Sequence, residues 1–275
     1  MFRFAVIGDP VAHSASPRLF GWLAERLGLR LGYEAVRVPA GGLATVLEEA
    51  RGGRWDGLSV TLPHKQDALI LADRADPRAT RAGAANCIVR ASDGRLVAHN
   101  TDVDGVRAAL AQHGCSLAGS AVLLLGAGGA ARAGAVAARE GGASRLWIAN
   151  RHPSRAIELA SAFDGEVLPL TAEALGPMLP RADVVLQATS VGLEAPGDSP
   201  LPPGCVLHDR LTVMDMVYRP LRTRLLRDAD AAGSRTIDGL WMLVFQGLAQ
   251  LRLWTGAETG DDVAPALHAH LAEGG

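Results

Sequence analysis

Apolar residues recur along this chain of 275 residues in two registers. Short continuous or alternating runs at 2–8, 32–38, 57–61, 85–89, 96–99, 121–125, 145–149, 184–188, 213–216 and 235–237 predict strands. Between them, stretches with helical spacing at 17–28, 43–51, 103–113, 129–140, 154–163, 221–232, 240–255 and 261–271 predict helices. Alternation of this kind predicts an α/β fold. Residues 121–125 are apolar throughout, as a parallel strand buried on both faces requires. Ser16 is expected to cap the first helix, with Pro17 at its first position. The Asp93-Gly94 step predicts a hairpin joining the strands at 85–89 and 96–99. The order of elements predicts two domains. The first comprises residues 1–101 plus 240–275, with the last helices returning to it; the second comprises 102–239, a dinucleotide-binding unit entered through a helix.

Composition narrows the function. The net charge of −2 lacks the basic surplus of a general nucleic-acid binder. No apolar run reaches the roughly 18 residues of a membrane span. The N-terminus, MFRFAVIGDP, lacks the pattern of a signal peptide, so a cytoplasmic protein is expected. Cys87, Cys115 and Cys205 form no CxxC pair, and no His/Cys grouping has metal-ligand spacing, so no metal is expected. The basic residues are 26 Arg and one Lys, Lys65; Asn occurs only at 86, 100 and 150, whereas Ala occurs 48 times. Residues with A/T-rich codons are scarce throughout, a bias that makes each survivor informative. Lys can donate and recover a proton, whereas Arg stays protonated, so the lone Lys suits a place that Arg does not fill, with chance survival as the plainer alternative.

Two constellations carry candidate chemistry. Gly126-Ala127-Gly128-Gly129-Ala130-Ala131 follows a buried strand and opens a helix, matching GxGxxA. Gly126 permits the tight turn, Gly128 lets the backbone approach a pyrophosphate, and Ala131 lets helix and strand pack closely. After the next strand, where an acid would hold a ribose hydroxyl, stand Asn150, Arg151, His152 and Arg155. This pattern favours a 2′-phosphate and hence NADP; a solvated arginine pair at a helix start is the plainer alternative. The second constellation lies in the first half. Ser14 and Ser16 precede a helix and suit a carboxylate. Ser59 and Thr61 share one face of a strand end, Lys65 follows, and Asn86 and Asn100-Thr101-Asp102 end neighbouring strands. His13 and His64 are alternative acids, expected to be exposed or structural. Trp241, Phe245 and Trp254 are expected in the core, with Gln246 on another helix face from Trp241.

In order, IGDPVAHSASP, LSVTLPHK, GAANCIV, AHNTDVDG, LLGAGGAAR, ANR, ATSVGL, DMVYRPLRT and GLWMLVFQGLAQLRLWTG span nearly the whole chain. On these motifs the chain resembles the shikimate dehydrogenases. The resemblance implies an N-terminal α/β substrate domain, a Rossmann-type NADP domain and a cleft active site. It implies NADPH-dependent, reversible reduction of 3-dehydroshikimate to shikimate, on the route to chorismate and the aromatic amino acids. It further implies that Ser14 and Ser16 hold the substrate carboxylate. Thr61, Lys65, Asn86, Asp102 and Gln246 would contact the hydroxyl and keto groups, with Tyr218 nearby. Lys65 and Asp102 would be the catalytic pair. Residues Gly126, Ala127, Gly128, Gly129, Ala130, Ala131, Asn150, Arg151, His152, Arg155, Met216 and Gly239 would bind NADP. The chain departs from the family pattern in having Ser59 for Asn, Cys87 for Thr, Gln187 for Asn and His152 for Thr. Alternatives are a quinate/shikimate or aminoshikimate dehydrogenase of the same fold, or a non-catalytic dinucleotide-binding sensor. The expected partner is a small-molecule substrate, with no nucleic acid or membrane, in a monomer or homodimer.

Overall fold

The computed structural model describes residues Met1–Glu273. Its contacts divide the chain into two compact units, Met1–Gly105 with the chain from Val244 onward, and Val106–Leu243. Both dividing points fall inside helices.

The first unit opens with β1 (Phe2–Gly8), α1 (Ser16–Leu27), β2 (Leu31–Arg37), α2 (Leu43–Arg51) and β3 (Gly57–Val60). These strands pair in parallel, with β1 between β2 and β3. The chain continues through α3 (Lys65–Leu71), β4 (Arg74–Ala75) and α4 (Pro77–Ala82) to β5 (Cys87–Arg90) and β6 (Leu96–His99). The last two form the antiparallel hairpin expected from Asp93-Gly94, with Gly94 at φ +85°. The sheet order is β2-β1-β3-β5-β6-β4. Ala5, Ile7, Leu47, Trp55, Leu58 and Ile88 are among its core residues.

The expected Ser16 cap is corrected. Helix α1 already includes Ser16, Ala15 stands at the cap position, and no side chain caps it. Instead Ser14 Oγ accepts a hydrogen bond from Ser16 N–H at 3.3 Å, and the helix begins at Ser16 itself, one residue too early for Ser16 to act as its cap.

In the second unit, α5 (Asp102–Gln112) leads to β7 (Ala121–Leu125), α6 (Gly129–Glu140), β8 (Arg145–Ala149), α7 (Pro153–Phe163) and β9 (Glu166–Leu168). Then follow α8 (Ala172–Leu175), β10 (Val184–Gln187), β11 (Thr212–Asp215), α9 (Arg224–Ala231) and β12 (Arg235–Ile237). The sheet is parallel throughout, in the order β12-β11-β10-β7-β8-β9. All of β7 is buried, as its unbroken apolar run requires. The order reverses beside β7, and the carboxyl ends of β7 and β10 form the topological switch point where open α/β sheets bind ligands.

Helix α10 (Gly239–Thr255) begins in the second unit and ends in the first; α11 (Val263–Ala272) completes the first. In the first unit, Trp254 anchors α10. Its ring stacks on Phe4 at 4.4 Å, and its Nε1 donates to Ile88 O at 3.0 Å. Any Cβ at Gly57 would lie 2.2 Å from that nitrogen, so glycine makes the seat. Gly247 admits Leu19 in the same way, a Cβ there meeting Leu19 at 2.9 Å. Trp254 is buried as expected, whereas Trp241 and Phe245 are only half-buried.

Candidate active site

The first unit gathers its polar residues at the ends of β1, β3, β5 and β6. Gly8 ends β1 so close to the next turn that a Cβ would lie 2.4 Å from the Thr61 methyl. This places the turn carrying Ser14 and Ser16 beside the one carrying Thr61 and Lys65. Lys65 opens α3, and its carbonyl accepts from Ala85 N–H at 2.7 Å, which fixes the lysine next to Asn86. Asp102 opens α5, where the helix N-terminus favours a carboxylate.

Lys65 Nζ lies 2.6 Å from Asp102 Oδ2, with side-chain exposures of 17% and 6%. Such a pair is stable only when the remaining lone pairs are satisfied. Asn86 Nδ2 supplies this, donating to Asp102 Oδ1 at 2.8 Å and to Thr101 Oγ1 at 3.0 Å. It also lies 3.3 Å from Gln246 Oε1, while Asn86 Oδ1 accepts from Thr101 N–H at 2.7 Å. Asn86, Thr101 and Gln246 are all buried. The structure therefore brings Lys65, Asn86, Asp102 and Gln246 together from four separate sequence motifs.

Two members of this network, Gln250 and Tyr33, are absent from the sequence-based site. Gln250, one turn beyond Gln246, donates to Gln246 Oε1 at 2.7 Å. Its own Oε1 accepts from Ser59 Oγ at 2.5 Å, and Ser59 Oγ accepts from the Tyr33 hydroxyl at 2.6 Å. Burial pushes the Tyr33 phenol well above its ordinary pKa, so it remains a donor at neutral pH. The i, i+4 spacing of Gln246 and Gln250 is a signal available in the sequence.

Of the alternative acids, His64 is buried and its Nε2 lies 2.6 Å from Val38 O, a structural role; His13 is exposed. Asn100 also serves structure, donating to Ala84 O at 2.8 Å. Tyr218 lies in the second unit, half-buried in the loop after β11.

The second unit builds a different kind of site, from backbone and space. Gly126 has φ +118°, and a Cβ there would meet Ala188 O at 2.9 Å. Gly128 precedes α6 with no side-chain cap, leaving the first-turn N–H groups for an anion. Ala131 is fully buried against the sheet. Ala127 is half-buried within the turn, and Gly129 and Ala130 are likewise half-buried at the helix start. Asn150 Nδ2 donates to His152 O at 3.0 Å and so shapes the turn after β8. Arg151, His152 and Arg155 are exposed. Among the described residues neither Arg151 nor Arg155 pairs with a carboxylate, unlike Arg132, which pairs with Glu158. Gly239 admits the Met216 carbonyl, a Cβ there lying 2.6 Å from it.

Two buried polar groups shape the rims of this second site. Gln187 Oε1 accepts from Thr189 N–H at 2.9 Å, and its amide donates to Val191 O at 3.1 Å. Asp215 accepts from the Thr223 hydroxyl at 2.7 Å and Val217 N–H at 2.9 Å, bracing the loop that carries Met216 and Tyr218. Burial nevertheless pushes its carboxyl up to about 6, against the pull of those donors.

Comparison with known proteins agrees with this geometry. Residues 6–88 match the family model described as shikimate dehydrogenase substrate binding domain, and residues 108–194 match shikimate / quinate 5-dehydrogenase. A shikimate dehydrogenase (NADP(+)) of Thermus thermophilus is 44% identical over 256 residues, 93% of each chain. The crystal structure of a Thermus thermophilus shikimate 5-dehydrogenase with NADP(H) and shikimate is 41% identical, with TM-score 0.90 over 98% of this chain and all of that one. Quinate dehydrogenase from Corynebacterium glutamicum, in complex with NAD, is 29% identical, with TM-score 0.88 over 99% of both chains. The identity, the coverage and the order of the motifs all lead to one conclusion: this chain belongs to the shikimate dehydrogenase family.

Proposed function

We propose that the Lys65–Asp102 pair carries the proton transfer of an NADP-dependent shikimate dehydrogenase. The enzyme reversibly reduces 3-dehydroshikimate to shikimate. NADPH, when bound, supplies the hydride that reduces the ketone. The oxygen of that ketone then needs a proton, and Lys65 Nζ is the donor in this reading. Asp102 holds the ammonium in place through its 2.6 Å contact, and Asn86 orients the carboxylate through its other oxygen. Gln246, Thr61 and Asn86 contact the ring hydroxyls, and Ser14 and Ser16 take the carboxylate. Tyr218 contacts the same substrate. The dinucleotide is held by residues 126–131 at its pyrophosphate and by Asn150, Arg151, His152 and Arg155 at its 2′-phosphate. Met216 and Gly239 line the same site. The first unit is thus the substrate domain and the second the cofactor domain.

The observation that carries this reading is the buried Lys65–Asp102 contact inside the Asn86–Gln246 network. A sensor without turnover would have no need of a buried lysine so held. The Ser59 hydroxyl is engaged by Tyr33 and Gln250 rather than left to bind an extra ring hydroxyl, which supports shikimate over quinate. Among the described residues no helix is long and apolar enough to cross a membrane, and all three cysteines are unpaired. The unpaired cysteines fit a reducing cytoplasm, and an enzyme acting on a small molecule as a monomer or homodimer is part of the same proposal. Nicotinamide absorbance with shikimate and quinate, each against NADP and NAD, tests the assignment. Shikimate with NADP is expected to be fastest; quinate with NAD outpacing it would overturn the choice.

A further inference from the structure

We propose that Gln250 is a positioning residue for the reaction, setting the amide orientation of Gln246 and, through Asn86, that of the Lys65–Asp102 pair. The inference rests on the reading of Lys65, Asp102, Asn86 and Gln246 above, and adds residues which that reading leaves without a role.

The argument is one of hydrogen-bond direction. A buried primary amide has a donor end and an acceptor end, and only its neighbours decide which way it faces. The Tyr33 hydroxyl donates to Ser59 Oγ at 2.6 Å, leaving the Ser59 proton to go to Gln250 Oε1 at 2.5 Å. The acceptor end of Gln250 is thereby fixed towards Ser59. Its Nε2 faces Gln246 Oε1 at 2.7 Å, with Asn86 O at 3.2 Å and Thr101 Oγ1 at 3.3 Å. The carbonyl of Gln246 is held in turn, between Gln250 Nε2 and Asn86 Nδ2. That leaves the Gln246 amino group as the end directed away from Gln250. Asn86, its own carbonyl held by Thr101 N–H, presents Nδ2 to Asp102 Oδ1.

Gln250 is 1% exposed, so water does not substitute for these contacts. The backbone carbonyl of Asn86 only accepts, so reversing Gln250 would set its own carbonyl against those of Asn86 and Gln246. In this chain the carboxamide reaches the network from α10, with the Ser59 hydroxyl donating to its oxygen.

The test uses the full-length protein with Gln250→Met and Gln250→Glu. Methionine matches the length of glutamine and keeps neither hydrogen bond. The expected result is a fall of about 10- to 100-fold in kcat/KM for shikimate, with the dissociation constant for NADP within twofold of the parent. Glutamate supplies a readout that a packing role would not move. When ionised it only accepts, and it opposes the Gln246 carbonyl. When protonated it accepts from Ser59 and donates to Gln246, as glutamine does. The ratio of parent to Gln250→Glu activity is therefore expected to fall towards one as pH is lowered. Tyr33, Cys87, Lys65 and Asp102, the titratable groups around this network, are common to both proteins and cancel in the ratio. A Gln250→Met enzyme within twofold of the parent in kcat and in shikimate KM would overturn the proposal. If that variant does not fold, a parent-to-Gln250→Glu ratio independent of pH would overturn it instead. Parent enzyme inactive with shikimate and NADP would instead refute the functional reading itself.

Discussion

Around Lys65 the first unit makes its site from buried side chains; at Gly126 the second makes its site from backbone and empty space. In the first, Lys65, Asp102, Asn86, Thr101, Gln246 and Gln250 satisfy one another at 2.6–3.3 Å. In the second, glycines clear room, a helix N-terminus offers N–H groups, and the arginines stay exposed. The contrast follows from the ligands. A dianionic phosphate is bound by charge and by N–H groups, which tolerate exposure. A proton transfer needs groups fixed to fractions of an ångström, which exposure does not allow. The first site is therefore expected to break when chemistry changes at constant shape, and the second when shape changes at constant chemistry.

The largest effect sharpening that contrast is Asp102→Asn. Its shape is retained, while the charge opposite Lys65 is lost and one of the two accepting oxygens becomes a donor. A fall in kcat of about 10²–10³-fold is expected, with NADP affinity unchanged by isothermal titration. Equal losses in kcat and cofactor affinity would erase the distinction. Gly126→Val is the converse test. With φ +118° and Ala188 O at 2.9 Å, a side chain is strained by about 1–3 kcal/mol, which corresponds to roughly 5- to 150-fold in NADP affinity. Shikimate binding measured without cofactor should stay within twofold. Arg151→Ala and Arg155→Ala should each raise the KM for NADP about 10-fold and leave that for NAD unchanged, if the guanidiniums hold the 2′-phosphate. Their NADP-to-NAD preference is the quantity to measure.

A further effect, on stability rather than on turnover, lies beneath the cofactor loop. Asp215 has its carboxyl raised from 3.8 to about 6, so the folded state holds a proton that the unfolded chain releases. Its contribution is fully present below about pH 4 and is lost as pH rises towards 6, by up to about 3 kcal/mol. Asp215→Asn should flatten that part of the stability-versus-pH curve in denaturant titrations. An unchanged slope between pH 4 and 6 would show that the carboxyl is already ionised there.

The long apolar runs make most of the strands legible, β7 above all, because a strand buried on both faces has no polar positions to obscure it. Segments without that signal escape a reading of the pattern. Strand β9 is largely exposed, and β4 has only two residues. Helix α4 is six residues long, too short for periodicity, although its ends carry signals: Asp76 caps it through Ala79 N–H, and Gly83 ends it at φ +64°. At the active site, the rare residues Lys65 and Asn86 stand out from composition alone. Gln250, Thr101 and Tyr33 do not, since their roles depend on which way a hydroxyl or amide faces, and that is fixed by neighbours up to 191 residues away, the separation of Ser59 and Gln250. The Ser16 cap fails for a local reason, the helix having begun at Ser16 itself with Ser14 Oγ on its N–H.

The central claim is that the single lysine transfers a proton, a task arginine does not perform. Lys65→Arg keeps the positive charge opposite Asp102 and removes only the labile proton. Shikimate oxidation followed by nicotinamide absorbance should show kcat lower by about 10³-fold, with shikimate still bound within a few-fold of the parent affinity. Turnover by Lys65→Arg within tenfold of the parent would contradict the account.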